Sequence, residues 1–432
     1  MPIRRSLFLF VLVLVLAVAA ALLQGCDRPS PPPVAEPVAR ARPAGADATY
    51  ALTLARQPGP AEIGAVGRAM FFDPGLSASG KMSCATCHSP DHAYGPPNQL
   101  SVQLGGRDGK QPGVRAVPSL RYLNTVAAFT EHHFDNDGDD SIDMGPTGGH
   151  TWDGRSDSTH AQAAVPLLSP FEMANESPAE VVGKLRRSGY ADQFRAAFGQ
   201  DIFDDDAKAF RWASMALEVF QETPAEFYPF DSKFDAVLRK QARFTPQELR
   251  GQALFDDTKK GNCASCHISS RTSDGGFPLF SDFGLIAIGV PRNPAIPANA
   301  DPAYFDLGLC GPLRTDLARH PEYCGLFRTP SLRNVATRRA FMHNGVFHSL
   351  EEVMRFYVRR DTDPGRFYPR KPGGGVAMFD DLPARYHGNL NTDAPFDRHP
   401  GQRPVWSESD IRDVVVFLRT LNDGWHRPHR AG

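Results

Sequence analysis

Two short runs in this chain have the residues to bond a haem: Cys84-Ala-Thr-Cys87-His88 and Cys263-Ala-Ser-Cys266-His267, 179 residues apart. Each supplies two thiols for the vinyl groups and, directly after the second thiol, an imidazole for the iron, which is c-type attachment spacing. Two covalently bound haem c groups are expected, held by Cys84, Cys87, Cys263 and Cys266, with His88 and His267 as iron ligands. Paired Cys-x-x-Cys is also zinc-ribbon spacing, and one such pair on a βαβ unit is a redox centre. The His after the second Cys in both copies favours haem, and 179 intervening residues are too many for a compact zinc module.

The chain repeats itself around each motif. Gly67-Arg-Ala-Met-Phe-Phe-Asp73 precedes the first motif and Gly251-Gln-Ala-Leu-Phe-Asp-Asp257 the second. Pro118-Ser-Leu-Arg121 follows the first and Pro330-Ser-Leu-Arg333 the second. The same order occurring twice predicts a mainly α, loop-rich fold of two cytochrome c domains related by internal duplication. The 38 Gly and 38 Pro suit such a fold, and 432 residues exceed one core. The expected boundaries are 59–240 for the first domain, with an insertion over 127–150, and 241–432 for the second. Thr245-Pro-Gln-Glu248 reads as a capped helix start. Ser407-x-x-Asp410 reads likewise, followed by an apolar stripe of Ile411, Val414, Val415, Leu418 and Leu421 that belongs to a core.

The N-terminus addresses the chain for export. Arg4 and Arg5 precede an apolar run from Leu7 to Leu23, and Leu23-Gln-Gly-Cys26 resembles a bacterial lipobox despite the uncommon Gln24. Residues 1–26 are read as a signal with lipidation of Cys26, the alternative being an uncleaved anchor. Residues 27–58, with Pro31, Pro32 and Pro33 in a row, form an extended linker. The body of the protein is then periplasmic. In that oxidising compartment Cys310 and Cys324 either form a local disulfide or remain buried thiols. A net charge of −2 gives no sign of a nucleic-acid partner. Asp135 to Asp143 alternates acidic side chains that suit Ca²⁺ or simply a solvated loop, and it lacks the EF-hand order.

Longer motifs carry a family resemblance over roughly residues 60–422. Thr151-Trp-Asp-Gly-Arg155, Gln162, Pro166 and Pro170-Phe-Glu-Met173, then Thr329-Pro-Ser-Leu-Arg-Asn-Val335 and Phe341-Met-His-Asn-Gly-Val-Phe347, are similar to runs in bacterial di-haem cytochrome c peroxidases and their MauG-type relatives. The resemblance implies that Trp152 lies between the haems and that Gln162, Pro166 and Glu172 line a peroxide pocket at the first. Chemistry agrees: cleaving an O–O bond needs a group that takes a proton from one oxygen and hands it to the other. A carboxyl with a raised pKa does this. Glu172 is the candidate, with Gln162 as an uncharged hydrogen-bonding partner and Trp152 as an oxidisable link. Read singly, the three are a surface carboxylate, a helix-face amide and a packed aromatic.

The second haem departs from the family's cytochrome peroxidases, where a Met fourteen residues after the His of the Phe-x-His motif ligates iron. Here that count from His343 reaches Tyr357, as in MauG-type enzymes; Met354, one turn earlier, is the rival ligand, and an iron without either is the third alternative. A phenolate stabilises ferric and higher states, where a thioether favours ferrous iron. Many family members also carry a capping histidine before the first PSLR, and Gly105 to Val117 contains none. His132, His133 and His150 in the insertion are expected at the surface. The family's interdomain Ca²⁺ implies a match at Asn124 with carbonyls near Arg338 and Ala340.

The reading that results is a peroxidase reducing hydrogen peroxide to water, with electrons from a small cytochrome c or cupredoxin relayed through the second haem. One alternative is a MauG-like enzyme that uses peroxide to oxidise a protein side chain. The other is a non-catalytic di-haem electron carrier.

Overall fold

The computed structural model describes residues 57–134 and 143–426. The signal run, Cys26, residues 27–56 of the linker and the acidic residues 135–142 lie outside the described residues. None of the described helices is long and apolar enough to cross a membrane.

The first half is built from α1 (Pro60–Phe72), α2 (Thr159–Leu168), α3 (Pro178–Arg186), α4 (Ala191–Phe198) and α5 (Asp206–Gln221). The second is built from α6 (Pro246–Asp256), α7 (Leu350–Arg359) and α8 (Glu408–Arg419). Strands are confined to two antiparallel pairs, β1 (Leu104–Gly105) with β2 (Gln111–Pro112) and β3 (Leu285–Ile286) with β4 (Phe327–Arg328). A βαβ redox unit is not what surrounds either Cys-x-x-Cys.

The helix starts follow from their caps. Thr245 Oγ1 accepts the Glu248 N–H at 3.2 Å, while the Glu248 carboxylate accepts the Thr245 N–H at 2.6 Å. Ser407 and Asp410 exchange the same pair of bonds at the start of α8.

The repeated glycines set how the helices cross. A β-carbon on Gly67 of α1 would lie 1.8 Å from the Ala216 carbonyl oxygen of α5. One on Gly251 of α6 would lie 2.1 Å from the Asp413 carbonyl oxygen of α8. In both halves the helix before the haem motif therefore packs its backbone directly onto the last helix of that half, which only glycine permits.

Each crossing supports its own core. Phe71, Tyr94, Leu167, Phe194 and Phe220 form the first. Phe234, Phe255, Phe280, Val353 and Phe417 form the second. Each fully buried Phe contributes about 1.5–3 kcal/mol of transfer free energy. The packing changes hands between Phe227 and Phe234, so the helical turn Lys233–Leu238 already belongs to the second core. A third, smaller cluster (Leu285, Leu309, Leu317, Tyr323, Leu326, Leu390) fills a segment of the second half, and a Cys310–Cys324 disulfide closes it.

The insertion is an arm whose outer part is exposed and whose return is not. His132 and His133 are exposed, with His132 Nδ1 2.5 Å from Asp143. His150 corrects the surface expectation, because it is 4% exposed. The reason is that the returning strand is bonded to the second half. The Gly148 N–H donates to the Phe283 carbonyl at 3.0 Å, the Leu285 N–H to Pro146 at 2.9 Å, and Arg328 to the Gly149 carbonyl at 2.9 Å.

Candidate haem and peroxide site

The two attachment motifs are held by one arrangement used twice. His88 Nδ1 lies 3.1 Å from the Tyr94 carbonyl, and His267 Nδ1 lies 2.9 Å from the Phe280 carbonyl. The same two carbonyls accept the N–H groups of Leu120 (3.1 Å) and Leu332 (3.3 Å) from the PSLR runs. The neighbouring serines fix the preceding residue, Ser119 Oγ to the Ala93 carbonyl and Ser331 Oγ to the Leu279 carbonyl, both at 2.6 Å. PSLR therefore locks the loop that orients the imidazole, leaving Nε2 as the free ligand atom. Burial pulls both imidazoles down to about 4, so they are neutral and able to coordinate.

The residues present fit haem c. All four motif cysteines are free and partly exposed, and burial pushes the Cys84, Cys87 and Cys263 thiols up to about 12. A cavity lined by Cys263, Cys266, His267, Leu350, Val353 and Tyr357 has an apolar wall suited to a porphyrin. Two buried polar atoms facing it, His343 Nε2 and Trp406 Nε1, have no partner within the protein. Among the described residues no three His, Cys, Asp or Glu side chains converge as a zinc site requires.

Trp152 lines the same cavity. Its Nε1–H donates to the Ala116 carbonyl at 2.7 Å, and its own carbonyl accepts the Arg328 N–H at 2.8 Å. The loop carrying it turns at Thr151 (φ 74°) and is clamped through Asp153, which is fully buried. Asp153 accepts from Thr151 (2.5 Å), Arg115 (2.7 Å) and Arg155 (2.9 Å), and Arg115 also pairs with Asp306 of the second half at 2.6 Å. Burial alone would raise the Asp153 pKa, but Arg115 and Arg155 hold it below the usual carboxylate range. Nothing in the sequence marked Asp153 beyond its place in the Trp-Asp-Gly-Arg run.

Gln162 and Pro166 stand one turn apart on α2, and Glu172 follows just beyond the helix. Among the described residues no side chain or carbonyl is hydrogen-bonded to the Gln162 side-chain amide, which is part-exposed on α2. Glu172 keeps an exposed surface; the protein packed around its carboxylate still desolvates it enough to raise its pKa, against smaller opposing effects of Ser169 and Arg155. Its charge is felt by both Cys84 and Cys87, the thiols of the first attachment motif. The Gly106 N–H donates to the Glu172 carbonyl at 2.8 Å, and a β-carbon on Gly105 would lie 2.1 Å from the Phe171 carbonyl oxygen, so β1 fixes this turn.

In the second half Tyr357 takes the corresponding place. Burial raises its phenol pKa, and the charges of Cys266 and Cys263 raise it further. Met354 also lines the cavity but is packed into the second core, 9% exposed, whereas Tyr357 is more open to it. Of the residues expected to hold calcium, Asn124 is exposed, and the Ala340 carbonyl accepts from the Arg338 guanidinium at 3.2 Å. Arg338 also reaches the Val117 carbonyl of the first half at 2.9 Å. This geometry lends the calcium reading no support.

A mainly helical, duplicated fold with two Cys-x-x-Cys-His haem sites, and an indole lining the cavity at the second of them, defines a di-haem c-type oxidoreductase. Comparison with known proteins carries this further. The profile of the di-haem cytochrome c peroxidase family matches residues 61–243. The methylamine utilization protein MauG of Paracoccus denitrificans is 38% identical over 395 residues, covering 87% of this chain and 92% of that protein. The cytochrome c551 peroxidase of Nitrosomonas europaea is 26% identical over 297 residues, covering 68% of this chain and 72% of that protein. Among solved structures, the diheme peroxidase BthA of Burkholderia thailandensis is similar with a TM-score of 0.75 and 39% identity, covering 87% of this chain and 89% of that one. The chain belongs to the di-haem cytochrome c peroxidase and MauG family. It is accordingly a periplasmic peroxidase-type oxidoreductase with two covalently bound haem c groups.

Proposed function

We propose that hydrogen peroxide is reduced to water at the haem held by Cys84, Cys87 and His88, with electrons entering through the haem held by Cys263, Cys266 and His267. One observation carries the assignment: the two attachment motifs have different chemistry beside them, Glu172 at the first and Tyr357 at the second. The haems, when bound, supply the iron chemistry of O–O cleavage and electron storage. Glu172, with its raised pKa, accepts a proton from the near peroxide oxygen and returns it to the departing one. Gln162 orients the peroxide without adding charge, and Pro166 shapes the apolar side of the pocket. Trp152 passes electrons between the halves. Tyr357 would be an iron ligand to the second haem.

A small redox protein, a cytochrome c or cupredoxin, serves as donor in this reading, and a lipid on Cys26 tethers the enzyme to the membrane. The test is steady-state turnover with reduced cytochrome c as donor. Peroxide-dependent oxidation lost in Glu172→Gln supports the assignment, and undiminished turnover in that variant contradicts it.

A second reading has support of its own. Tyr357 in place of Met and the 38% identity to MauG favour an enzyme that applies the oxidising equivalents to a protein side chain. Slow turnover with reduced cytochrome c, together with stoichiometric reaction with peroxide, distinguishes it.

A further inference from the structure

The ring of Phe396 stacks on that of Tyr357, centroids 5.5 Å apart and planes 28° from parallel. The Arg360 guanidinium carbon lies 3.8 Å from the centroid of the same Phe396 ring. Phe396 is 4% exposed and Arg360 2%. A buried Arg at the end of a helix is costly unless its position is fixed by several partners. Here Asp361 accepts from it at 2.8 Å, the Ile288 carbonyl at 3.0 Å and the Asn391 carbonyl at 3.2 Å.

These contacts join two pieces of chain distant in sequence. Tyr357 and Arg360 are one turn apart at the end of α7, while Phe396 belongs to the segment 391–396, whose residues Asn391, Ala394, Pro395 and Phe396 line the cavity. The Asn391 N–H is bonded to the Ala287 carbonyl at 2.8 Å and the Phe396 N–H to the Asp393 carbonyl at 2.7 Å. Arg360 thus hooks this segment to α7 and holds Phe396 against the Tyr357 ring. A tyrosine without such a neighbour rotates about χ1 and χ2, and Met354, also lining the cavity, then competes for the same position.

We propose that Phe396 and Arg360 are positioning residues that fix the Tyr357 ring as the second haem's ligand and so exclude Met354. The proposal rests on Tyr357 being that ligand, and the test separates the two claims. Absorption and electron paramagnetic resonance spectra of the ferric di-haem protein are compared for wild type, Tyr357→Phe, Phe396→Leu and Arg360→Lys, with thermal unfolding recorded for each. The last variant keeps the charge but loses the flat stacking face.

The expected result is that Tyr357→Phe abolishes the phenolate-to-iron charge-transfer band. Phe396→Leu and Arg360→Lys should weaken it at least twofold and introduce a second ligation signal, with the first haem's spectrum unchanged. If Met354→Leu added to Phe396→Leu removes that second signal, the exclusion of Met354 is established. A wild-type spectrum for both Phe396→Leu and Arg360→Lys, alongside an altered Tyr357→Phe, overturns the positioning role alone. An unaltered Tyr357→Phe spectrum overturns the ligand assignment itself.

Discussion

The indole N–H of Trp152 donates to the Ala116 carbonyl at 2.7 Å, and the Ala116 N–H donates in turn to the His343 carbonyl at 2.7 Å. A backbone carbonyl is too weak a base to take the indole proton, so under the proposed electron-relay role Trp152 would lose and regain an electron while keeping that proton. Phenylalanine in its place is far harder to oxidise. Trp152→Phe should leave the stoichiometric reaction with peroxide in place and lower steady-state turnover by about tenfold or more, or about 1.4 kcal/mol of barrier. Stopped-flow and steady-state assays on the same preparation check this. Equal loss in both would place Trp152 in the peroxide step instead.

Glu172 should govern the pH profile of the peroxide step. Its pKa is raised by the partial desolvation of its carboxylate, and the form that accepts a proton is the carboxylate. The rate constant for peroxide should therefore rise as pH increases through that elevated pKa. Glu172→Gln should remove this limb and lower the rate by about 10²–10⁴-fold. A pH series of stopped-flow traces decides the point, since an unchanged limb in the variant assigns it to another group.

Asp153 ties the Trp152 loop to both halves, and its stability contribution has a defined sign with pH. Its folded pKa lies below the ordinary Asp value despite burial, because Arg115 and Arg155 flank it. The contribution is therefore complete above the ordinary Asp pKa and is lost as pH falls through the lowered folded value. Asp153→Asn leaves Arg115 and Arg155 short of a charge partner and should cost about 3–5 kcal/mol at neutral pH. Urea unfolding at pH 7 and in acid measures both; a difference that persists undiminished below the folded pKa contradicts the ion-pair account.

The paired helix crossings give a symmetric prediction. Gly67→Ala drives a methyl onto the Ala216 carbonyl and Gly251→Ala onto the Asp413 carbonyl, at separations no real β-carbon tolerates. Each should destabilise its own half by at least about 1–3 kcal/mol. Thermal unfolding followed at the haem bands of each half should show the loss confined to the mutated side.

What could be read from the sequence was what is encoded locally. The Cys-x-x-Cys-His motifs, the Thr245 and Ser407 caps and the PSLR repeat each act within a few residues of themselves, and each makes a concrete contact in the fold. The intervals from Trp152 to Gln162, Pro166 and Glu172 were visible only as a family pattern, because their chemistry depends on a loop and a helix folding back toward Cys84 and Cys87. His150 lies buried rather than at the surface because its neighbours Pro146, Gly148 and Gly149 are bonded to Phe283, Leu285 and Arg328, more than 130 residues further on. The Phe396 stack on Tyr357 and the cluster closed by Cys310–Cys324 are likewise products of long-range packing, which no periodicity announces.

The central claim is that the two haems are unequal, with an accessible iron beside Glu172 and a Tyr357-ligated iron in the second half. The most direct measurement is the ferric spectrum of the purified protein, by absorption and electron paramagnetic resonance, before and after one equivalent of hydrogen peroxide. The account predicts one high-spin and one low-spin haem of equal amount, with the high-spin signal consumed by that single equivalent. Two low-spin haems, both unchanged by peroxide, would contradict it and leave an electron carrier in its place.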